Sequence, residues 1–315
     1  MIRTKILTTM LIAFSVTALI WGSISAAGVK DNDDLTEETV VTAPDDSTDP
    51  SGYVPQTPTT VRLNMRDAVV VVKKKLPLLK ATVFPPETNV TWTSSDPSVA
   101  TVTSSGIVSG LKTGYAVITV SSDDGVSDFC NVTVLYKDVM NSNDFWYEPT
   151  YELTNMGVVK GYNNQTEFRP ANNCTRAQMV TFIWRLAGEP KPVSDNCKFT
   201  DVTSDKYYYK PVIWAVENGI TTGYNDNTFR PDVTCLRRHA VTFLWRFAGS
   251  PAPSSDEIKF KDVKDTDYFC DPVIWASEKN ILAGYEDGTF KPEGECLRRQ
   301  MVTFLYKYDK FAGEE

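Results

Sequence analysis

The 315-residue chain carries 32 Lys and Arg against 40 Asp and Glu, a formal charge of −8, with 42% hydrophobic residues. That length accommodates two or three domains, and the composition is that of folded protein rather than of a disordered chain. With no cationic surplus to neutralise phosphates, nucleic acid is excluded as the main partner; with His239 as the one histidine, any site built on two is excluded as well.

Residues 1–27 read as a secretory signal peptide. Arg3 and Lys5 precede an apolar stretch from Ile6 to Trp21, and Ser25-Ala26-Ala27 supplies a small-residue cleavage site. The alternative, an uncleaved anchor, is suggested by the length of the apolar stretch and opposed by its small-residue end. The expected product is secreted, with no membrane association once the signal is removed. Residues 28–60 are acidic and rich in Thr and Pro, as in Asp31-Asn32-Asp33-Asp34 and Pro44-Asp45-Asp46. They are expected to form a disordered linker, having too little apolar surface to offset ordering entropy.

Residues 61–136 change character. The runs Val69–Val72, Val90–Thr93, Ala116–Val120 and Cys130–Val134 are β-branched, and Pro85-Pro86, Ser94–Pro97, Ser104–Gly106 and Asp123–Gly125 punctuate them as turns. Such spacing predicts an all-β sandwich. The segment Val90-Thr91-Trp92-Thr93-Ser94-Ser95-Asp96-Pro97, followed by Val99–Val102, Gly106-Ile107-Val108 and Gly114–Val120, resembles the bacterial Ig-like group 2 domain. Trp92 is expected as its core anchor. The resemblance implies a spacer or presenting module, with a ligand-binding face as the alternative.

The remainder is a repeat. Cys235-Leu236-Arg237-Arg238-His239-Ala240-Val241-Thr242-Phe243-Leu244 recurs 61 residues later from Cys296 and has a counterpart 61 residues earlier from Cys174. Gly161-Tyr162, Gly223-Tyr224 and Gly284-Tyr285 lead into Phe168-Arg169-Pro170, Phe229-Arg230-Pro231 and Phe290-Lys291-Pro292. Each copy opens on an Asp-Val pair: Asp138-Val139, Asp201-Val202, Asp262-Val263. In the second copy Val212, Ala215, Val216 and Gly219 share one helical face, and Ala240, Phe243, Leu244 and Phe247 repeat that spacing, so each copy reads as helix, loop, helix. Gly219 and Gly249 suit helix C-termini, and Thr175 with Gln178 offers a capping box that Leu236 and Leu297 cannot. Helices of three turns are marginal alone, so the copies must bury their faces against one another, which predicts a pseudo-threefold α-helical bundle. Trp184, Trp245 and Tyr306 are expected in its core.

These copies resemble S-layer homology (SLH) repeats, over 137–190, 198–251 and 259–312. The Phe-Thr/Lys-Asp-Val openings at Phe199 and Phe260, the Gly219–Gly223 segment and the Phe-Arg/Lys-Pro loops carry the likeness. The family's Thr-Arg-Ala-Glu signature corresponds to Thr175–Gln178, Leu236–His239 and Leu297–Gln300. The resemblance implies a non-catalytic surface protein, held non-covalently in the cell envelope by grooves that bind secondary cell-wall polysaccharide, often pyruvylated. Arg176, Arg237 and Arg298 are the expected glycan contacts. A guanidinium suits a bidentate grip on a carboxylate, and free N–H groups at a helix start favour the same anion. Tyr162, Tyr224 and Tyr285 are expected to stack on sugar and offer a hydroxyl. The competing readings are a solvated surface charge or a structural ion pair for the arginines and aromatic packing for the tyrosines. Gln178, His239 and Gln300 in place of Glu, and Leu236 and Leu297 in place of Thr, put the second and third sites in doubt.

Six cysteines in an exported chain allow disulfides such as Cys270–Cys296. The copies instead align Cys174, Cys235 and Cys296 with aliphatic positions, favouring buried thiols. No nucleophile–base pair and no metal or cofactor site stands out. Direct peptidoglycan or outer-membrane-to-wall tethering is a third reading that the resemblance leaves open. Against the anchor stands an adhesin, in which the Ig-like domain binds an external partner and the repeats only tether.

Overall fold

The structure, a computed structural model, describes residues 59–314. The expected signal and all but the last two residues of the expected linker lie outside the described residues, and Thr60 already belongs to the first strand. Eight strands come first: β1 (Thr60–Leu63), β2 (Asp67–Val71), β3 (Ala81–Phe84), β4 (Val90–Ser94), β5 (Ala100–Val102), β6 (Val108–Gly110), β7 (Gly114–Ser122) and β8 (Ser127–Leu135). A four-stranded sheet runs β2-β8-β7-β4, beside the two-stranded ladders β1-β3 and β5-β6. β2 lies parallel to β8, while β7 is antiparallel to both β4 and β8.

The period-2 alternation read from sequence sets which face is dry. Ala116, Ile118 and Val120 of β7, and Cys130, Val132 and Val134 of β8, are fully buried, and most of them pack with Val70, Leu79 and Val108. Each buried Ile or Val contributes roughly 1.5–3 kcal/mol relative to exposure. Trp92, expected at the centre, is instead half-buried at the edge of this core, its ring lying against Gly106.

Six helices follow: α1 (Tyr147–Asn155), α2 (Arg176–Leu186), α3 (Tyr209–Glu217), α4 (Arg237–Phe247), α5 (Cys270–Glu278) and α6 (Arg298–Glu314). Pro149, Pro211 and Pro272 sit in the first turns of α1, α3 and α5, where a missing N–H costs no helical bond. Gly219 follows α3 with φ 69°, and Asn280 takes the same left-handed position after α5, as the next-best residue there. The Thr175–Gln178 capping box is formed at α2, while Leu236 makes no side-chain cap at α4.

Helix partners run across copies rather than within them: α2 packs on α3, α4 on α5, and α6 returns to α1. At the centre the backbone closes a cycle. Cys174 N–H donates to the Cys296 carbonyl (2.9 Å), Cys296 N–H to Cys235 (2.9 Å), and Cys235 N–H to Cys174 (2.8 Å). These three cysteines have no exposed surface, and all six are free thiols. Desolvation pushes the Cys174 and Cys235 thiols well up and Cys296 to about 12, so they behave as small hydrophobes.

Trp184, Trp245 and Tyr306 differ from the expectation. They are half-buried, and the indoles of Trp184 and Trp245 donate to the carbonyls of Pro190 and Pro251 (both 2.8 Å), tying down the segments between copies. Tyr306 donates to Glu148 Oε1 (2.6 Å). The helical core also reaches the sandwich. Leu135 ends β8, and the next residue, Tyr136, is buried among the helices with its N–H on the Tyr151 hydroxyl (3.0 Å). Thr113 N–H of the sandwich donates to the Gln165 carbonyl (3.1 Å) of the first repeat's loop.

Candidate functional site: the three repeat junctions

The Asp-Val pairs and the Gly-Tyr loops meet in one local device. The carboxylate of Asp138 accepts the N–H groups of Phe168 and Arg169 (2.8 and 2.7 Å), and Asp201 does the same for Phe229 and Arg230 (2.8 and 2.7 Å). Asp262 takes Phe290 and Lys291 (2.7 and 2.8 Å). The clamp holds Arg169, Arg230 and Lys291 at φ near +57°, a region costly for side-chain-bearing residues unless the surroundings fix it. A Cβ at Gly223 would overlap the Phe199 ring and the Thr228 carbonyl, so only glycine admits this turn.

Each clamped loop receives an arginine from the preceding copy. Arg176 Nε donates to the Phe229 carbonyl (2.9 Å), Arg237 Nε to Phe290 (2.8 Å), and Arg298 Nε back to Phe168 (2.8 Å). Arg237 and Arg298 add Nη2 bonds to the Ala283 and Lys160 carbonyls (3.3 and 3.0 Å). The three residues are only 4%, 2% and 1% exposed. A buried cation is ordinarily matched by a carboxylate; here aromatic rings surround it. Arg176 Cζ stands 4.9, 4.8 and 5.3 Å from the ring centres of Tyr224, Phe229 and Phe243. Arg237 is caged by Tyr285, Phe290 and Phe304, and Arg298 by Tyr162, Phe168 and Phe182. Cation–π attraction is worth about 2 kcal/mol or more per desolvated pair. Burial nevertheless pulls the Arg176 and Arg237 guanidiniums below their ordinary value.

Each tyrosine carries a second cation. Arg169 lies 4.6 Å from the Tyr162 ring, Arg230 4.0 Å from Tyr224, and Lys291 4.1 Å from Tyr285. Glu167, Asp226 and Asp287 pair with these outer cations at 2.9, 2.9 and 3.4 Å. Hydrogen bonds from Lys137 and Arg169 hold the Glu167 carboxyl down at about 2, and Thr228 and Arg230 do so for Asp226. The Tyr162 and Tyr285 hydroxyls accept from Gln178 Nε2 (2.9 Å) and Gln300 Nε2 (3.0 Å). His239 takes that position in the middle copy, and its Nδ1 is buried without a partner. Burial first, then Arg176 and Arg238, pull its ring down to about 4.

The structure thus brings Arg176 to Tyr224, Arg237 to Tyr285 and Arg298 to Tyr162, pairs that sequence spacing does not join. It also corrects one premise. The helix-start N–H groups are not free for an anion: Arg176 and Ala177 donate to Val233 and Pro231, Arg237 and Arg238 to Gly294 and Pro292, and Arg298 and Arg299 to Asn172 and Pro170. The three arginines lie beneath the junctions, their Nε atoms committed to carbonyls, rather than standing as surface charges. The outer cations Arg169, Arg230 and Lys291 were passed over in the sequence, although the Phe-Arg/Lys-Pro recurrence marked them. What each junction presents is a tyrosine hydroxyl, an amide or imidazole beside it, and a cation, a set suited to polar, anionic ligands. Among the described residues no group of three His, Cys, Asp or Glu is placed to hold a metal ion, and no helix is long and apolar enough to cross a membrane.

Comparison with known proteins agrees with this repeat structure. The S-layer homology domain family matches residues 135–180, 198–240 and 259–302, and the bacterial Ig-like domain (group 2) family matches 58–134. The chain is similar to the cellulosome-anchoring protein of Acetivibrio thermocellus, 30% identical over 89 residues that make up 27% of this chain and 20% of that one. It is 25% identical to cell surface glycoprotein 1 of the same organism over 158 residues, 47% of this chain and 7% of the other. Likeness to S-layer protein sap of Bacillus anthracis is 28% over 176 residues, 52% of this chain and 20% of that protein. The matched region therefore spans a fifth or less of each of these relatives.

Proposed function

The chain is an S-layer homology protein, with three such domains behind one bacterial Ig-like domain (group 2), and on that footing we propose that it anchors itself to the cell wall through a pseudo-threefold bundle whose junctions bind wall polysaccharide. It is a secreted protein of the cell surface and cell wall, as its domains and its surface-layer relatives indicate. The observation that carries the binding reading is the threefold recurrence of a tyrosine flanked by a buried guanidinium and an outer cation. A core needs no such recurrence of charge; a repeating anionic glycan does.

The polymer is a secondary cell-wall polysaccharide bearing carboxylate, as a pyruvate ketal would supply. Its acid group meets the outer cation, Arg169, Arg230 or Lys291, and its hydroxyls meet the tyrosine and its amide. Arg176, Arg237 and Arg298 act from beneath, fixing the tyrosines and adding positive potential in a low-dielectric site. The protein is non-catalytic, and the Ig-like domain is a spacer that presents the N-terminal region. The support for a stiff spacer is that Leu135 at the end of β8 and Tyr136 directly after it are both buried in the helical core.

Co-sedimentation of the signal-free chain with wall sacculi tests this. Pelleting with native sacculi, lost once the secondary polysaccharide is stripped and competed by carboxylated sugars, is the expected result. Pelleting that survives stripping would move the partner to peptidoglycan, and no pelleting with any wall would overturn the anchor.

A further inference from the structure

Each repeat leaves one large aromatic side chain open just before its first helix: Phe145 before α1, Tyr207 before α3 and Tyr268 before α5, at 59%, 60% and 60% exposure. A single exposed aromatic needs no explanation, but the same register left open in all three copies does. Each is braced edge-to-face by the next residue, with ring centres 4.8 Å (Trp146), 5.0 Å (Tyr208) and 5.2 Å (Phe269) apart and interplanar angles of 82–89°. Such bracing fixes a ring without covering all of it, so little ordering entropy remains to be lost when something stacks on it.

The three rings stand beside the junctions. Arg238 hydrogen-bonds the Tyr268 hydroxyl, which also feels Tyr224 and Arg176. Tyr207 is within electrostatic reach of Tyr162, and Arg299 stacks 5.4 Å over Trp146, the brace of Phe145. Tyr162, Tyr224 and Tyr285 cannot offer the same surface, because cations already occupy their rings.

Resting on the polysaccharide-binding reading above, we propose that Phe145, Tyr207 and Tyr268 are the platforms on which a pyranose ring of the wall glycan stacks at each junction. A pyranose has an apolar C–H face and a hydroxyl rim. The platform matches the face, and the neighbouring tyrosine hydroxyl, amide or guanidinium matches the rim.

The test is sacculus binding by the signal-free chain carrying Phe145→Ala, Tyr207→Ala and Tyr268→Ala together. A second triple variant to Leu keeps apolar bulk against the bracing ring, and a Tyr207→Phe, Tyr268→Phe pair keeps the platforms. Circular dichroism and melting verify folding. Expected is a loss of affinity of about tenfold or more in both triple variants and near-normal binding in the Phe pair. A folded Ala or Leu triple variant that binds like the parent overturns the platforms while leaving the anchor intact. A parent chain that binds no wall removes the anchor and the platforms with it.

Discussion

The sandwich and the repeat region are held together in different ways. In the sandwich, alternate residues of β7 and β8 bury an apolar layer contributed by the same domain, and each strand's partners lie within about seventy residues of it. In the repeat region the decisive bonds leave each copy for the next: Arg176 to Phe229, Arg237 to Phe290, Arg298 across 130 residues to Phe168, with the Cys174–Cys296–Cys235 cycle at the centre. The sandwich's strand pairs therefore close within one domain, whereas one repeat is a third of a ring. The binding surface proposed at the junctions requires all three copies to be present and closed.

Opening the ring is the sharpest way to break that contrast. Arg298→Ala orphans the Phe168 and Lys160 carbonyls and empties an aromatic cage, at a cost of about 3 kcal/mol or more. Denaturant unfolding followed by helical and by sheet signals should show the helical transition moving and the sandwich transition staying. Equal movement of both would mean the regions share one cooperative unit. Gly223→Ala forces a side chain into the Phe199 ring at φ 73°, and about 2 kcal/mol of helical-region stability should be lost.

A smaller effect separates the middle junction from the other two. His239 has its folded value held near 4, below the unfolded value of about 6.5. As pH falls from about 6.5 towards 4 the unfolded chain takes up a proton that the folded chain refuses, so stability declines through that window and is unaffected above it. Partial exposure limits the swing to about 1–2 kcal/mol. The paired carboxylates Glu167 and Asp226, held near 2, lose their stabilising effect only lower, below about 4.5. A His239→Gln chain should accordingly show a flat melting temperature between pH 6.5 and 4.5; a slope unchanged from the parent would assign the dependence elsewhere. Smallest is a gain: Leu236→Thr supplies the N-cap that Thr175 gives α2 and should stabilise by about 0.5 kcal/mol in a thermal melt.

Much of this was legible in the chain. Alternation fixed the inner faces of β7 and β8, and the 61-residue period located three helix–loop–helix copies together with their tyrosines and arginines. Trp92 was misplaced because size alone suggested a centre, whereas Gly106 lets the indole rest at the margin. The arginines' surroundings were hidden for a topological reason: a period tells which residues are equivalent, not which copy each one reaches. Arg176 and Tyr224 lie 48 residues apart and meet only because the copies close on one another. The helix-start N–H groups, expected free, are consumed by the same closure.

Hydrogen exchange of the signal-free chain, with and without polysaccharide released from the wall, tests the central claim most directly. The account predicts added protection in the loops around Tyr162, Tyr224 and Tyr285 and in the turns bearing Phe145, Tyr207 and Tyr268, with the sandwich unchanged. Protection confined to the sandwich, or none at all, would contradict it.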